Sequence, residues 1–377
     1  MVPKGTYAMQ DAHLPPGADV DSEMEVAQRG TEKAHLRGSR EAAPSANQLV
    51  DDVRTFLVSC RIIGSEDQIE TRVLAGGVSS DIHLVLTSGG ALVVKRALPQ
   101  LKVEGIWLAP VERSTHEAAY LRVAEKLDPG FCPRLLAHDP ESGYLAMEYL
   151  DPENHPLWKT QLLTGRVDVE VAGSVGDHVG RIHAAAAAAP HLADQFDTTA
   201  EFRSLRIHPY LETLQSRYPN LSDDLDALIG MLLDNRHTLI HGDVSPKNIL
   251  VGVQGPVLLD AECAWWGDPA FDLAFCANHL LLKSFLPIDR TRTLVQSVLT
   301  LRDRYVPHVG WEEPDAVAAR TAALLPALML ARVDGLSPVE YFDTEHKDAV
   351  RTFALDLLGR DGLTLDAIAH ARLDRTA

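Results

Sequence analysis

The chain has 377 residues, 46% of them apolar, and a formal net charge of −18. That length can bury a large core and supports two lobes. The acidic surplus excludes nucleic acid as a main partner, since a phosphate backbone calls for a basic surface, and it suits either a cationic substrate or plain solubility.

Residues 1–46 mix Gly, Pro, Ser and charges without apolar periodicity and read as a disordered tail or linker. An amphipathic pattern over Ala46–Ile63, with Leu49, Val53, Phe56 and Leu57 on one face, predicts a helix. Strands are expected at Glu70–Leu74, Ile82–Leu86 and Ala91–Arg96, the last two joined by a turn at Thr87-Ser88-Gly89-Gly90. Between the first two lies Ala75-Gly76-Gly77-Val78-Ser79-Ser80. A turn of this kind can lay its backbone N–H groups against phosphate oxygens, because Gly76 and Gly77 carry no side chain to block the approach. The same dipeptide also serves ordinary turns.

Val93-Val94-Lys95 ends the third strand in a lysine. The next helix, Thr115–Lys126, opens with Ser114 and Glu117 at capping-box spacing. A second hairpin, Arg134–His138 with Tyr144–Tyr149, turns at Asp139–Gly143, and the Pro-rich Asp151–Pro156 then marks a boundary between lobes. We therefore place a first lobe at residues 47–150 and a second at 151–377. The second reads as mainly helical: Val167–Ala189 with an Ala-rich end, Leu221–Asn235, Phe271–Leu282, Arg290–Tyr305, Ala316–Val333 and Glu345–Leu358. His183 reads as a packed core residue. Trp265 and Trp266 suit either core packing or stacking on a substrate ring.

Cys60, Cys132, Cys263 and Cys276 lack CxxC spacing. They read as free thiols of a cytoplasmic protein. No run reads as membrane-spanning, and no signal-peptide core follows Met1.

The most informative stretch is Leu239–Leu273. It carries His241-Gly242-Asp243, then Asn248, then two apolar runs, Ile249–Val253 and Pro256–Leu259, around Gln254-Gly255. With those two residues as the loop of a β-hairpin, Val253 faces Pro256 and Ile249 faces Asp260. Asn248 then stands beside Asp260, and an amide oxygen next to a carboxylate suits a hard cation such as Mg²⁺. Asp243, on the loop before them, is the carboxylate that phosphoryl transfer to a hydroxyl requires.

His-x-Asp-x4-Asn followed by a metal-binding Asp resembles the catalytic set of protein kinases. With Gly242 in the second position it is similar to the aminoglycoside phosphotransferase and choline kinase group of small-molecule kinases. Asp260-Ala-Glu262 and the stretch Trp107–Glu117 resemble methylthioribose kinases. The resemblance covers roughly residues 68–360 and implies an α+β, two-lobed protein-kinase-like fold with a small antiparallel β N-lobe and a mainly helical C-lobe. It implies ATP as donor, with GTP possible, and Mg²⁺ held by Asn248, Asp260 and Glu262. Lys95 would pair with the phosphates and with Glu117, Glu112 being the alternative partner. Gly76, Gly77, Ser79 and Ser80 would cover the phosphates. Backbone at Glu148, Tyr149 and Leu150 would meet the adenine. Asp243 would take the acceptor's proton, His241 would orient the loop, and Asp272 would brace it from below.

The expected function is ATP-dependent transfer of phosphate to a hydroxyl of a small molecule, an aminoglycoside, an amino sugar or a related metabolite. A methylthioribose-kinase-like sugar kinase and a non-catalytic nucleotide-binding pseudokinase are the alternatives. A monomer or homodimer without a membrane partner is expected.

Overall fold

The computed structural model describes residues 46–74, 80–98, 112–287 and 289–375. Apart from Ala46, the expected tail lies outside these residues, as do Gly76, Gly77 and Ser79 and the first five residues of Trp107–Glu117.

Helix α1, Ala46–Ser59, ends before the expected Ile63. Its buried residues Val53, Phe56 and Leu57 keep i, i+3, i+4 spacing. Strands β1 (Glu70–Val73), β2 (Ser80–Thr87) and β3 (Gly90–Ala97) follow. Thr87 pairs with Gly90 across the two-residue turn Ser88-Gly89. Helix α2 (Arg113–Leu127) leads to β4 (Leu135–Asp139) and β5 (Tyr144–Glu148), and the antiparallel sheet runs β1-β2-β3-β5-β4. Val85, Leu92, Val94, Tyr144 and Ala146 form one buried cluster with α1. Strand alternation then sends Lys95 to the opposite face of the sheet.

The expected capping box at the start of α2 does not form. The helix begins at Arg113, its N-cap is Glu112, and no side chain caps it. Ser114 therefore sits inside the first turn, and the Glu117 carboxylate is committed elsewhere.

The remainder is mainly helical. It opens with α3 (Trp158–Leu163) and α4 (Val169–Ala187), the latter capped by Asp168, which accepts from Glu170 N. Next come several short helical segments and α5 (Ser222–Asp234). One of those segments, Arg203–Glu212, is π-helical and contains Pro209. Proline lacks the N–H of a regular helix, and a bond from Thr213 N to His208 O closes the wide turn.

Strand β6 (Thr238–Ile240), the hairpin β7 (Ile249–Gly252) with β8 (Gly255–Leu258), and β9 (Trp265–Gly267) precede α6 (Ala270–Lys283). Helices α7 (Thr291–Tyr305), α8 (Pro314–Asp334), α9 (Thr344–Leu357) and α10 (Leu365–Asp374) complete this part. At Gly176 a Cβ would stand 2.1 Å from the Leu301 carbonyl oxygen, so only glycine lets α4 lie this close to α7. Trp265 and Trp266 are buried, with the Trp265 ring stacked 4.3 Å from Phe202. They are core residues.

Helix α8 corrects one expectation, since it is long and apolar enough to cross a membrane; 78% of its apolar window is buried inside the protein. A small antiparallel sheet with a mainly helical remainder agrees with the fold class read from the sequence.

Candidate active site

The loop after β6 is held from beneath by one carboxylate. His241 N donates to Asp272 Oδ2 (2.7 Å) and Gly242 N to Asp272 Oδ1 (2.8 Å). Asp272 is fully buried in the first turn of α6 and carries both of these bonds to the loop backbone. His183, a core residue, adds a contact of 3.3 Å to Asp272 and one of 2.8 Å to Tyr305 Oη. Gly242 has φ +76°, and a Cβ there would lie 2.5 Å from the Cys263 carbonyl oxygen. Backbone freedom and close approach both require glycine at that position.

His241 is buried with its ring edge-on to Tyr120, 5.2 Å away, and its Nδ1 accepts from Asp243 N at 3.2 Å. Burial lowers its pKa, against the pull of Asp272 and Asp243. It is therefore a neutral acceptor that fixes the backbone of Asp243.

Asp243 is 2% exposed. Its Oδ2 meets Arg206 Nη2 at 2.9 Å and Lys247 Nζ at 2.9 Å. Burial pushes its carboxyl up, yet the Lys247 ammonium and the Arg206 guanidinium together hold it below the usual carboxylate range. Arg206 also donates Nε to Gly242 O at 2.6 Å. Neither cation was expected. Lys247 carries a local signal, since it lies four residues after Asp243 in the same loop. Arg206 carries none, because the π-helical stretch delivers it from far upstream.

The hairpin register differs from the expected one. Gly252 pairs with Gly255, Val251 with Pro256 and Ile249 with Leu258, so the loop is Val253-Gln254. Ile249 does not face Asp260. Leu259 N donates to Asn248 O at 2.8 Å, and Asp260 lies one residue beyond. Asp260 has φ +69°, a strained conformation for a residue with a Cβ. Asn248 Nδ2 donates to Asp243 O at 3.1 Å, which leaves the amide oxygen as the acceptor of that side chain.

Lys95 is 4% exposed. Its Nζ bonds both oxygens of Glu117, at 3.0 and 2.7 Å, and also contacts Asp260 Oδ1. Glu117 is thus the partner of Lys95, and Glu112 is exposed. Burial works against the Lys95 charge, but Asp260, Glu117 and Glu262 raise its pKa well above the ordinary lysine value. Burial pushes the Glu117 carboxyl up to about 7, against the pull of Lys95. Asp260 is held far below the usual range, burial being outweighed by Lys95 and Lys247.

Glu262 is placed on Arg113, whose Nε donates to its Oε2 at 3.0 Å. Arg113, itself 1% exposed, also donates to Leu98 O at 2.7 Å. Among the described residues, no group of three or more His, Cys, Asp or Glu side chains could hold a metal ion. Ser80 is buried at the start of β2, opposite Ala97. At the end of β5, Glu148 N donates to Arg134 O (3.0 Å), and its carboxylate accepts from Arg134 N (2.8 Å). Tyr149 and Leu150 then lead away from the sheet.

The phosphotransferase enzyme family, APH, matches residues 70–296, more than half of the chain. The chain belongs to the APH phosphotransferase family. Among its relatives is methylthioribose kinase 1 of Oryza sativa subsp. japonica, 23% identical over 61% of this chain and 60% of that protein. Another is methylthioribose kinase of Bacillus velezensis, 26% identical over 59% of this chain and 63% of that protein. The chain thus spans about 60% of the length of these curated relatives. Choline kinase from Cryptosporidium parvum Iowa II shares the fold, with a TM-score of 0.50 at 12% identity over 83% of this chain and 95% of that one. The resemblance to this phosphotransferase group is therefore borne out.

Proposed function

We propose that this APH-family chain transfers the γ-phosphoryl group of ATP to a hydroxyl of a small molecule. The observation that carries the reading is the Lys95 ammonium bridging Glu117 of α2 and Asp260 beyond β8. One cation links the sheet to the segment that follows the catalytic loop. We read residues 47–150 and 151–377 as two lobes with the nucleotide between them.

Lys95, oriented by Glu117, compensates charge on the non-transferred phosphates. Asp243 stays ionised at neutral pH and so accepts the acceptor's hydroxyl proton while fixing its direction. Arg206 and Lys247 hold that carboxylate in place. Most of the rate then comes from positioning and charge compensation, since phosphoryl transfer passes through a loose transition state. Asn248 and Asp260 offer an amide oxygen and an ionised carboxylate, a donor set that fits Mg²⁺. Asn248 and Asp260 would hold the ion there, and its charge would offset that of the phosphates. Glu262 has its Oε2 on Arg113, as Asp260 has its Oδ1 on Lys95, so each keeps one carboxylate oxygen for a cation.

Replacing Asp243 tests the reading. Asp243→Asn is expected to abolish Mg²⁺-dependent ATP turnover and acceptor phosphorylation in single-turnover assays, with ADP affinity by calorimetry largely kept. Turnover within a few-fold of the parent chain would reject the assignment.

A further inference from the structure

Helix α6 starts under the catalytic loop at Asp272 and runs on through Asn278, His279 and Lys283. His279 and Lys283 lie seven and eleven residues past Asp272, or ~10 and ~16 Å along the axis. This stretch is buried, polar and poorly satisfied. Asn278 is fully buried, and neither its Nδ2 nor its Oδ1 has a partner among the described residues. The same holds for His279 Nε2, Arg332 Nε and Tyr341 Oη. Buried polar atoms are almost always bonded in native proteins, so this many together calls for an occupant.

The charges around them have one dominant sign. Lys283 is 1% exposed, and its ammonium lies 3.2 Å from His279 O and 5.1 Å from the centre of the Tyr341 ring. Burial, then the cations Lys159 and Arg332, push its pKa down to about 7. The His279 ring stays neutral for the same reasons, burial first, with Arg332, Lys283, Lys247 and Lys159 adding to it. Two carboxylates are near. Asp243 belongs to the reaction centre, and Glu340 is paired with Lys159. The cluster is continuous with the catalytic loop. Arg206, bonded to Asp243, stacks 5.6 Å over Phe275, whose ring lies 5.2 Å from His279. Lys247 and Lys159, both close enough to act on the His279 ring, have side chains 46% and 27% exposed.

We propose that this cluster seats an oxyanion of the acceptor, so that the chain phosphorylates a hydroxyl on a small molecule bearing a carboxylate or a phosphate. Lys283 and Arg332 meet the negative charge, while His279 and Tyr341 bond to its oxygens or to neighbouring hydroxyls. In the reaction the acceptor oxygen forms a bond to the γ-phosphorus, the bond from that phosphorus to the β-bridging oxygen breaks, and Asp243 takes the hydroxyl proton. A cationic amino sugar seated there would instead meet Lys283 and Arg332, a like-charge juxtaposition that interfaces avoid. The acidity of the chain as a whole does not extend to this wall of the site.

The proposal rests on the phosphotransferase reading, and the test separates the two. Mg²⁺-dependent ATP hydrolysis by the full chain without acceptor, lost in Asp243→Asn, reports on that reading alone. Anion seating is measured by titrating the chain, saturated with Mg·AMP-PNP, with inorganic phosphate and with malonate. Saturable binding of either, weakened about tenfold or more in Kd by Lys283→Met, is expected. The phosphate and malonate arms separate the two oxyanion chemistries. Methionine fills the space of the buried lysine without its charge, a replacement buried sites generally accept. Tyr341→Phe removes a single hydroxyl and serves as the milder second variant.

Transfer is then compared on glucuronate, glucose 6-phosphate, glucose and glucosamine, which differ in charge on one skeleton. An anionic member is expected to exceed glucosamine in kcat/KM, and Lys283→Met to erase that order by raising KM for the anion alone. A purely structural lysine would weaken all four alike. ATP hydrolysis without saturable anion binding, or a preference for glucosamine, would overturn the proposal and leave the phosphotransferase reading standing.

Discussion

Replacement of Asp272 by asparagine tests whether the catalytic loop depends on one carboxylate. Asp272 has no exposed surface and accepts from His241 N at 2.7 Å and Gly242 N at 2.8 Å. Asparagine sets an NH₂ group where one of those oxygens stood. A charge-assisted bond worth about 1.5–3 kcal/mol is lost, and the N–H left facing a donor costs a further ~1–3 kcal/mol. The surviving bond becomes neutral and about half as strong, while His183, 3.3 Å from Asp272 Oδ2, can still bond the amide oxygen. The net fall in unfolding free energy is therefore expected at roughly 3 kcal/mol, read from urea denaturation. Turnover should fall by about 10²-fold, the scale set by a displacement of about 1 Å in a reacting group. ADP affinity, measured by calorimetry, should stay within about threefold, because Lys95 is set by Glu117 and Asp260. A turnover within about twofold of the parent would refute this account of the loop.

Lys95→Met leaves Glu117 and Asp260 without their shared cation, and breaking a buried pair of this kind costs about 3–5 kcal/mol. Nucleotide affinity should drop with it, and the double variant with Glu117→Gln should recover part of the stability; additive losses in a double-mutant cycle would deny the coupling. Lys283 makes a pH prediction. Its folded pKa of about 7 lies below the ordinary 10.5, so between those values the unfolded chain binds more protons and stability rises with pH. That contribution approaches ~1.4 kcal/mol per pH unit at its steepest. The urea midpoint should therefore climb more between pH 7 and pH 9 for the parent than for Lys283→Met, and equal slopes would contradict a buried, neutralising lysine.

Much of the site could be read from the sequence because its signals are local. His241, Asp243, Asn248, Asp260 and Asp272 sit within one short stretch, and Asp272 accepts from the backbone of His241 and Gly242. The Lys95–Glu117 pair came from the resemblance to kinases, laid onto a strand ending in lysine and the helix after it. What failed was register and long-range pairing. Val253 reads as a strand residue because it is apolar, yet it stands 89% exposed in the turn, with glycines at the flanking positions 252 and 255 meeting across the ladder. The capping box lost to a tertiary contact, since a buried ammonium attracts the Glu117 carboxylate more strongly than backbone N–H groups at a helix end. Arg113 reaches Glu262 from 149 residues away and Arg206 reaches Gly242 from 36, separations at which no local spacing constrains a partner.

The widened turn around Pro209 has a consequence for how this chain can vary. A π-helical segment accommodates an extra residue within a helix, and here that extra residue sets the azimuth of the guanidinium that clamps the reactive carboxylate. Excising one residue between Arg206 and Thr213 would restore ordinary helical winding downstream and rotate everything on one side of the cut by about 100° relative to the other. The helices would still bury apolar faces and the loop would still rest on α6, but Arg206 would aim elsewhere. A single-codon deletion there is thus expected to remove the Arg206 clamp on Asp243 without touching either residue.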